Sequence, residues 1–300
     1  MASNRLWLLD ASIYIFRAWF SMPDRWHSDD GMPLNAVYGY ASFLCDFLSR
    51  IHPATHIAAA FDESLGTCFR NEIYADYKAS RVLPDEALAF QLQCCRELTE
   101  LSGIDCFGGE SHEADDYIAT LARLAREQDC AVTVVTRDKD LGQVLLSEGD
   151  LWWDFAADQT LDADGFSHRF GVSPAQFADY QGLVGDSIDD IPGVPGVGPK
   201  TAAVLIKHFG DLESIEQGMD EVKALSLRGA ARLPEKLSRY WSQALLSREL
   251  ARLEQRVPEV EVLPSFTLER LKIQAVSDYL LSLGLSGPIL RRWEALGEAL

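Results

Sequence analysis

The chain has 300 residues, 47% hydrophobic and 24% charged, enough for one large domain or two closely joined ones with a sizeable core. No apolar run approaches the roughly 20 residues of a membrane span, and the N-terminus lacks the long apolar segment of a secretory signal, so a cytoplasmic protein without a membrane partner is expected. A net charge of −19 argues against a nucleic-acid partner unless positive charge is gathered locally, and six cysteines with no CxxC pair beside six scattered histidines argue against a zinc site or a disulfide framework.

Three short hydrophobic runs read as buried strands: RLWLLD (5–10), HIAAAFD (56–62) and AVTVVTRD (131–138). Each ends in aspartate. Helical patterns at 35–50, 86–102 and 113–127 separate them, which predicts parallel βαβ units whose strand C-termini share one edge, the edge where such sheets bind ligands. Asp10, Asp62 and Asp138 should then converge, with Asp140 beside Asp138. The stretch SHEADDYIATLARLARE adds Glu113, Asp115 and Asp116 in the first turn of an amphipathic helix, which begins on the same edge if IDCFGG (104–109) is a further strand.

Any one of these acids has a plainer explanation as a helix cap, a turn residue or a partner of the helix dipole. A convergent set does not. Two carboxylates about 5 Å apart repel by roughly 3 kcal/mol at an effective dielectric near 20, so a cluster needs cations or shared protons. Oxygen ligands without neighbouring Cys or His point to Mg²⁺ or Mn²⁺, two or more ions completing their shells with water and phosphate oxygens.

Positive charge is gathered in three places. FRNEIYADYKASR (69–81) interleaves Arg70, Lys78 and Arg81 with Tyr74 and Tyr77, a composition suited to single-stranded nucleic acid, although a solvated amphipathic helix explains it as well. In GDSIDDIPGVPGVGPKTAAVLIKHFG (185–210), Gly193, Gly196 and Gly198 lead into a helix carrying Lys200, Thr201 and Lys207; backbone amides there would grip phosphate without reading bases. SLRGAARLPEKLSRYW (226–241) contributes Arg228, Arg232, Lys236 and Arg239.

With these residues assembled, the chain resembles the 5′-nuclease domain of bacterial DNA polymerase I, of the 5′-3′ exonuclease and flap endonuclease family, from about residue 5 to at least 260. LLDASIYIFRAW, AAFDESLGTCFRNEIYADYKASR, HEADDYIATLA, TRDKDLGQVL and GDSIDDIPGVPGVGPKTA carry the match, in family order and at family spacing. The resemblance implies a PIN-like α/β core with a mostly parallel sheet and a helical arch, then a helical region containing a helix-three-turn-helix. Boundaries are expected at 1–175 for the core, with the arch inserted at about 69–100, and 176–300 for the DNA-binding region with its glycine hairpin at 193–200.

It further implies a metal-dependent nuclease, a monomer, acting on DNA with 5′ flaps, 5′ ends and duplex–single-strand junctions in replication and repair. Asp10, Asp62, Glu113, Asp115, Asp116, Asp138, Asp140, Asp186 and Asp189 match the family's metal-binding acids. Arg17, Tyr77, Lys78 and Arg81 match catalytic positions near the scissile region, and Arg70 with the hairpin residues matches DNA contacts. Some members bind K⁺ through hairpin carbonyls, so K⁺ is a candidate second ion. Departures are Arg137 in place of a small residue, Asp190 in place of Asn, and SRVLPDE in a proline-poor arch sequence. A stand-alone enzyme or an excised domain, without polymerase or proofreading domain, is expected. Two other readings stay open: a PIN-like ribonuclease, which does not require the hairpin, and a non-catalytic DNA-structure-binding protein.

Overall fold

The computed structural model describes residues 5–54, 56–227, 229–263 and 271–299. Arg228 of the third basic stretch lies outside the described residues. The chain opens with β1 (Arg5–Asp10), α1 (Ala11–Ser21), α2 (Asn35–Ile51), β2 (His56–Ala60), α3 (Phe69–Ile73), α4 (Glu86–Leu101), β3 (Asp105–Phe107), α5 (Ala114–Arg126) and β4 (Ala131–Val135). A hairpin of β5 (Leu151–Asp154) and β6 (Gln159–Leu161) completes the sheet.

The sheet runs β3-β2-β1-β4-β5-β6, parallel except for the last pair. Its residues divide by alternation: Leu6 and Leu8 of β1, Ala58 and Ala60 of β2, and Val132 and Val134 of β4 pack on α5, whereas Leu9, Ile57, Ala59 and Val135 face α1 and α2. Both faces are therefore covered, the condition under which a parallel sheet is stable. Strand order reverses between β1 and β4, so the crevice beyond their carboxyl ends is the expected ligand position.

Two strands end two and three positions before their aspartates: β2 at Ala60 and β4 at Val135. Asp62 and Asp138 thus stand in the loops beyond the edge, while Asp10 is still paired, opposite Ala60.

Helices α6 (Ala163–Phe170), α7 (Phe177–Val184), α8 (Pro199–Phe209), α9 (Leu212–Gln217), α10 (Leu233–Arg239) and α11 (Trp241–Ala251) build a separate core around Phe177, Leu205, Ile206, Leu212 and Leu237. Two boundaries differ from expectation. Helix α4 is the crossover between β2 and β3, with Cys94, Cys95 and Leu98 buried against α2, so residues 86–101 of the stretch expected as the arch belong to the sheet layers. The chain after α11 also leaves the helical lobe: Leu253, Val257 and Val260 pack beside α5. Then α12 (Ile273–Ser282) and α13 (Pro288–Ala299) bury Val276, Leu280, Ile289 and Trp293 in the core shared with Tyr40 and Phe47. Helix α12 contacts α4 and α13 contacts α2, so both extend the layer that covers this face of the sheet. Among the described residues no helix is long and apolar enough to cross a membrane.

Candidate active site

Register sets the first contact of the site. Leu9 lies opposite Val135, so the next residues, Asp10 and Thr136, are level, and the Thr136 hydroxyl donates to Asp10 Oδ2 at 2.7 Å. Thr136 Oγ1 in turn accepts from the Asp138 amide at 2.9 Å, and Asp138 Oδ1 accepts from the Asp140 amide at 2.8 Å. Trp152 of β5 donates its indole N–H to the Asp138 carbonyl, which ties this loop to the hairpin. Asp62 Oδ1 accepts from Ser64 Oγ, and Ser12 Oγ accepts from the Asp62 amide.

These carboxylates strain against one another. Burial, and then the charges of Asp138 and Asp62, push the Asp10 carboxyl up to about 7 against the Thr136 hydrogen bond. Asp140 is likewise pushed up to about 7 by burial and Asp138, although Gln181 Nε2 donates to its Oδ1 at 2.9 Å. Asp115 is raised well above the ordinary carboxylate range by burial, Asp138 and Asp10, and its side chain has no hydrogen-bond donor among the described residues.

Two lysines answer part of this negative charge. Lys78 Nζ contacts Glu113 Oε1 and lies 3.9 Å from Asp189 Oδ2. Burial opposes its charged form, yet Glu113 and Asp189 hold the ammonium above its usual range. Lys78 also sits in the left-handed region (φ 52), with its amide donating to the Asp189 carbonyl, so loop 78–81 is stitched to loop 186–190 through the backbone. Arg81 pairs with Asp189, and the Ser80 amide donates to Asp190, another left-handed residue (φ 55), a conformation that Asp tolerates as Asn does. Lys139 bridges Asp186 and Asp140. Burial opposes ionisation of Asp186, but the hydrogen bonds from Lys139 and the Ile188 amide outweigh it and hold this carboxyl below its usual range.

Asp116 and Arg70 differ from the sequence reading. Arg70 is 1% exposed and Asp116 0%. Both guanidinium Nη atoms donate to the two Asp116 oxygens at 2.7 Å, Arg70 Nε donates to the Leu250 carbonyl and Nη2 to the Arg252 carbonyl. Asp116 additionally accepts from the amides of Glu113 and Glu254. Its lone pairs are spent inside the protein, so Asp116 is no free metal ligand, and Arg70 has no surface to offer DNA. The pair is a fully hydrogen-bonded strut joining α3, α5 and the end of α11. Tyr77, 4% exposed, is also internal: its hydroxyl donates to Glu113 Oε2 at 2.9 Å and its ring, packed with Ile191 and Leu250, lies under the Lys78 ammonium, so it orients that carboxylate instead of stacking on a base. Arg17, on α1, is exposed. The departure at Arg137 is neutral for the cluster, because its guanidinium pairs with Asp154 at the end of β5.

At the hairpin, Gly193 is a packing residue. A Cβ there would stand 2.3 Å from the Gly185 nitrogen, its amide donates to Ser247 Oγ and its carbonyl accepts from Gln243. It is therefore unavailable to phosphate. Val194 and Val197 anchor the turn in the lobe's core, which leaves Gly196, Gly198, Lys200 and Lys207 exposed and Thr201 partly so. The Lys200 and Thr201 amides lie in the first turn of α8, where no i−4 carbonyl exists to accept from them. Lys236 of α10 brings its Nζ within 2.7 Å of where a Gly196 Cβ would be, so the third basic stretch joins this surface.

Among the described residues no three acidic side chains already converge on one point at ligand distance. The donor chemistry nevertheless fits a hard divalent cation: several carboxylates without Cys or His, Asp115 without a side-chain donor among the described residues, and mutual repulsion that a cation would relieve. Lys139, Thr136 and Gln181 were missed in the sequence. Lys139 was visible between two aspartates, Thr136 becomes evident only once the register is known, and Gln181 carries no local signal.

Residues 5–171 match the family described as 5′-3′ exonuclease, N-terminal resolvase-like domain, and residues 172–277 match the 5′-3′ exonuclease, C-terminal SAM fold. The chain is 38% identical over 261 residues to DNA polymerase I of Rhizobium leguminosarum, with 85% of this chain and 25% of the relative covered. It is 36% identical over 260 residues to DNA polymerase I of Bacillus caldotenax, with 85% and 28% covered, so it spans about a quarter of the length of these relatives. Among solved structures, T5 5′-exonuclease with bound zinc superposes with a TM-score of 0.66 at 18% identity, covering 98% of each chain. The catalytic core of Rad2 in complex with DNA substrate superposes at 0.64 and 15% identity, covering 99% of this chain and 92% of that one. At those identities the likeness concerns the fold, which is the PIN-like sheet joined to a helical lobe seen here. The matches to both domains, in order and over most of the chain, place it in the 5′-3′ exonuclease family.

Proposed function

We propose that the protein hydrolyses DNA phosphodiesters at 5′ ends and 5′ flaps with divalent metal ions. The observation that carries this reading is the crowding of Asp10, Asp115, Asp138 and Asp140 beyond the β1/β4 reversal, their charge only partly met by lysines. Mg²⁺ or Mn²⁺ would be held there, with Asp62, Glu113, Asp186 and Asp189 at the margins, and would supply a water activated at neutral pH and neutralise charge on the leaving oxygen.

The protein's own groups have separate tasks. Lys78 and Arg81, fixed by Glu113 and Asp189, point positive charge at the crevice where a phosphate would enter, and Arg17 adds exposed charge from α1. Tyr77 positions Glu113. The exposed hairpin amides, Lys200, Lys207 and Lys236 would hold the duplex backbone independently of sequence. K⁺ at the hairpin belongs to the same reading, but the carbonyls of Gly193 and Val194 already accept from Gln243 and Val197, so it would need others. A 1–175 catalytic unit with a 176–251 duplex-holding lobe, acting as a monomer, completes the proposal; α12 and α13 belong with the sheet.

The experiment is a comparison of a flap duplex, the same duplex without a flap, and single-stranded RNA, each with Mg²⁺ and with EDTA. Mg²⁺-dependent cleavage of the flap duplex near its junction is expected. Preference for RNA would instead favour the PIN-like ribonuclease, and binding without turnover would leave a structure-binding protein.

A further inference from the structure

A recess of about 470 Å³ opens beside Asp62, outside the acid cluster itself. Its walls are aliphatic and aromatic: Phe61, Leu65, Leu83, Pro84 and Leu92. Leu83 is 66% exposed on its lip, an unusual place for a large apolar side chain with no protein neighbour to cover it. Arg96 lies at one side with its Cζ 5.5 Å from the Phe61 ring centroid. Its Nη1 donates to Glu63 Oε1 at 2.6 Å and its Nε to Glu100 Oε1 at 3.1 Å. These two bonds and the Phe61 ring against one face fix the guanidinium plane at the side of the recess.

This chemistry selects against phosphate and for a flat, uncharged ring. Asp62 and Glu63 border the recess and repel an anion, whereas an apolar wall beside a fixed guanidinium plane is what an unstacked nucleobase packs on. The recess also shares Ser12 and Asp62 with the crevice where a phosphate would be cleaved. A base entering it therefore belongs to a nucleotide adjoining that phosphate. We propose that the recess is a nucleobase subsite that receives the base of the unpaired 5′-strand nucleotide next to the scissile phosphate. The subsite rests on the nuclease reading above. The apolar part of the wall meets the faces of a base, which all four bases share, and Ser12 and Gln93 are the neutral polar groups in the lining.

The test uses 5′-flap duplexes in which single nucleotides around the junction are replaced, one at a time, by a tetrahydrofuran abasic residue. With Mg²⁺, removal of one base in the flap strand should lower kcat/KM on the order of tenfold while neighbouring positions change little. That penalty should vanish in Ala89→Trp, which fills the recess from its exposed rim, and in Leu92→Ala, which removes a wall, each checked for native folding by circular dichroism. Equal cleavage with the abasic residue at every position would overturn the subsite and leave the nuclease reading intact. If no substrate is cleaved, the nuclease reading fails, and the subsite is decided by binding in Ca²⁺ to duplexes carrying 2-aminopurine at the same positions. A fluorescence change at one position, lost in Ala89→Trp, supports it; identical signals in wild type and variant overturn it.

Discussion

The sheet edge and the glycine hairpin both face the proposed substrate, but they are built in opposite ways. At the edge the polar groups are mostly carboxylates, buried or half-buried, of which Asp10, Asp140, Glu113 and Asp138 are held by hydrogen bonds from Thr136, Gln181, Tyr77 and a loop amide while Asp115 has no side-chain donor among the described residues. At the hairpin the buried groups are apolar anchors, Val194 and Val197, and what faces outward is backbone and lysine. Chemistry on a phosphodiester needs charge fixed in a site of low dielectric. Holding a duplex of any sequence needs only donors and positive charge at the surface. Substitutions in the two regions should therefore fail differently.

The largest effect is expected at the edge. Asp115→Asn or Asp138→Asn should lower the single-turnover cleavage rate roughly a thousandfold or more while duplex affinity changes little. A gel-shift titration beside a quench-flow rate measures both, and a parallel loss of affinity would erase the division of labour. Next comes Arg70→Ala, which leaves Asp116 buried and unpaired and should destabilise the fold by about 3–5 kcal/mol in urea unfolding. A variant replacing both residues by apolar ones of similar volume should recover much of that loss. If Arg70→Ala weakened DNA binding without loss of stability, Arg70 would return to the surface role that its sequence context suggests.

The metal-free edge should also carry a pH signature. Asp10 and Asp140 titrate near 7 in the folded protein and near 4 when unfolded, so the folded state binds more protons between those values. Their contribution to stability is thus fully present below about pH 4 and is lost as pH rises to about 7. In EDTA, the melting temperature should fall across that interval by less in Asp10→Asn than in wild type, and added Mg²⁺ should raise it more at pH 8 than at pH 5. A Mg²⁺ effect independent of pH would mean that the ion does not bind at these carboxylates. The smallest effect is expected at the hairpin, where Lys200→Ala should weaken duplex binding several-fold and reduce the slope of log affinity against log salt by about 1. An unchanged slope would take Lys200 out of contact with phosphate.

Sequence carried much of this. The three strands, their shared edge and the exposed tip of the hairpin follow from short apolar runs, the parallel βαβ rule and glycine placement. Partners distant along the chain did not show. Arg70 reads as part of a solvated basic stretch because nothing local reveals that the Leu250 and Arg252 carbonyls, about 180 residues away, close around it. Gly193 looks like its neighbours Gly196 and Gly198, yet it is consumed by close packing on Gly185. The β5–β6 hairpin was not foreseen because its strands are only four and three residues long and no α-helix connects β4 to β5. The return of α12 and α13 to the sheet side depends on contacts with α4 and α2, far away in sequence, that no periodicity reports.

The central claim is that the buried acids hold metal for phosphodiester cleavage. Its most direct test incubates the protein with a 5′-labelled flap duplex, with Mg²⁺ and with EDTA, beside Asp115→Asn. Cleavage near the junction that requires Mg²⁺ and is lost in the variant is the expected result. Cleavage that survives EDTA or the substitution would contradict the account.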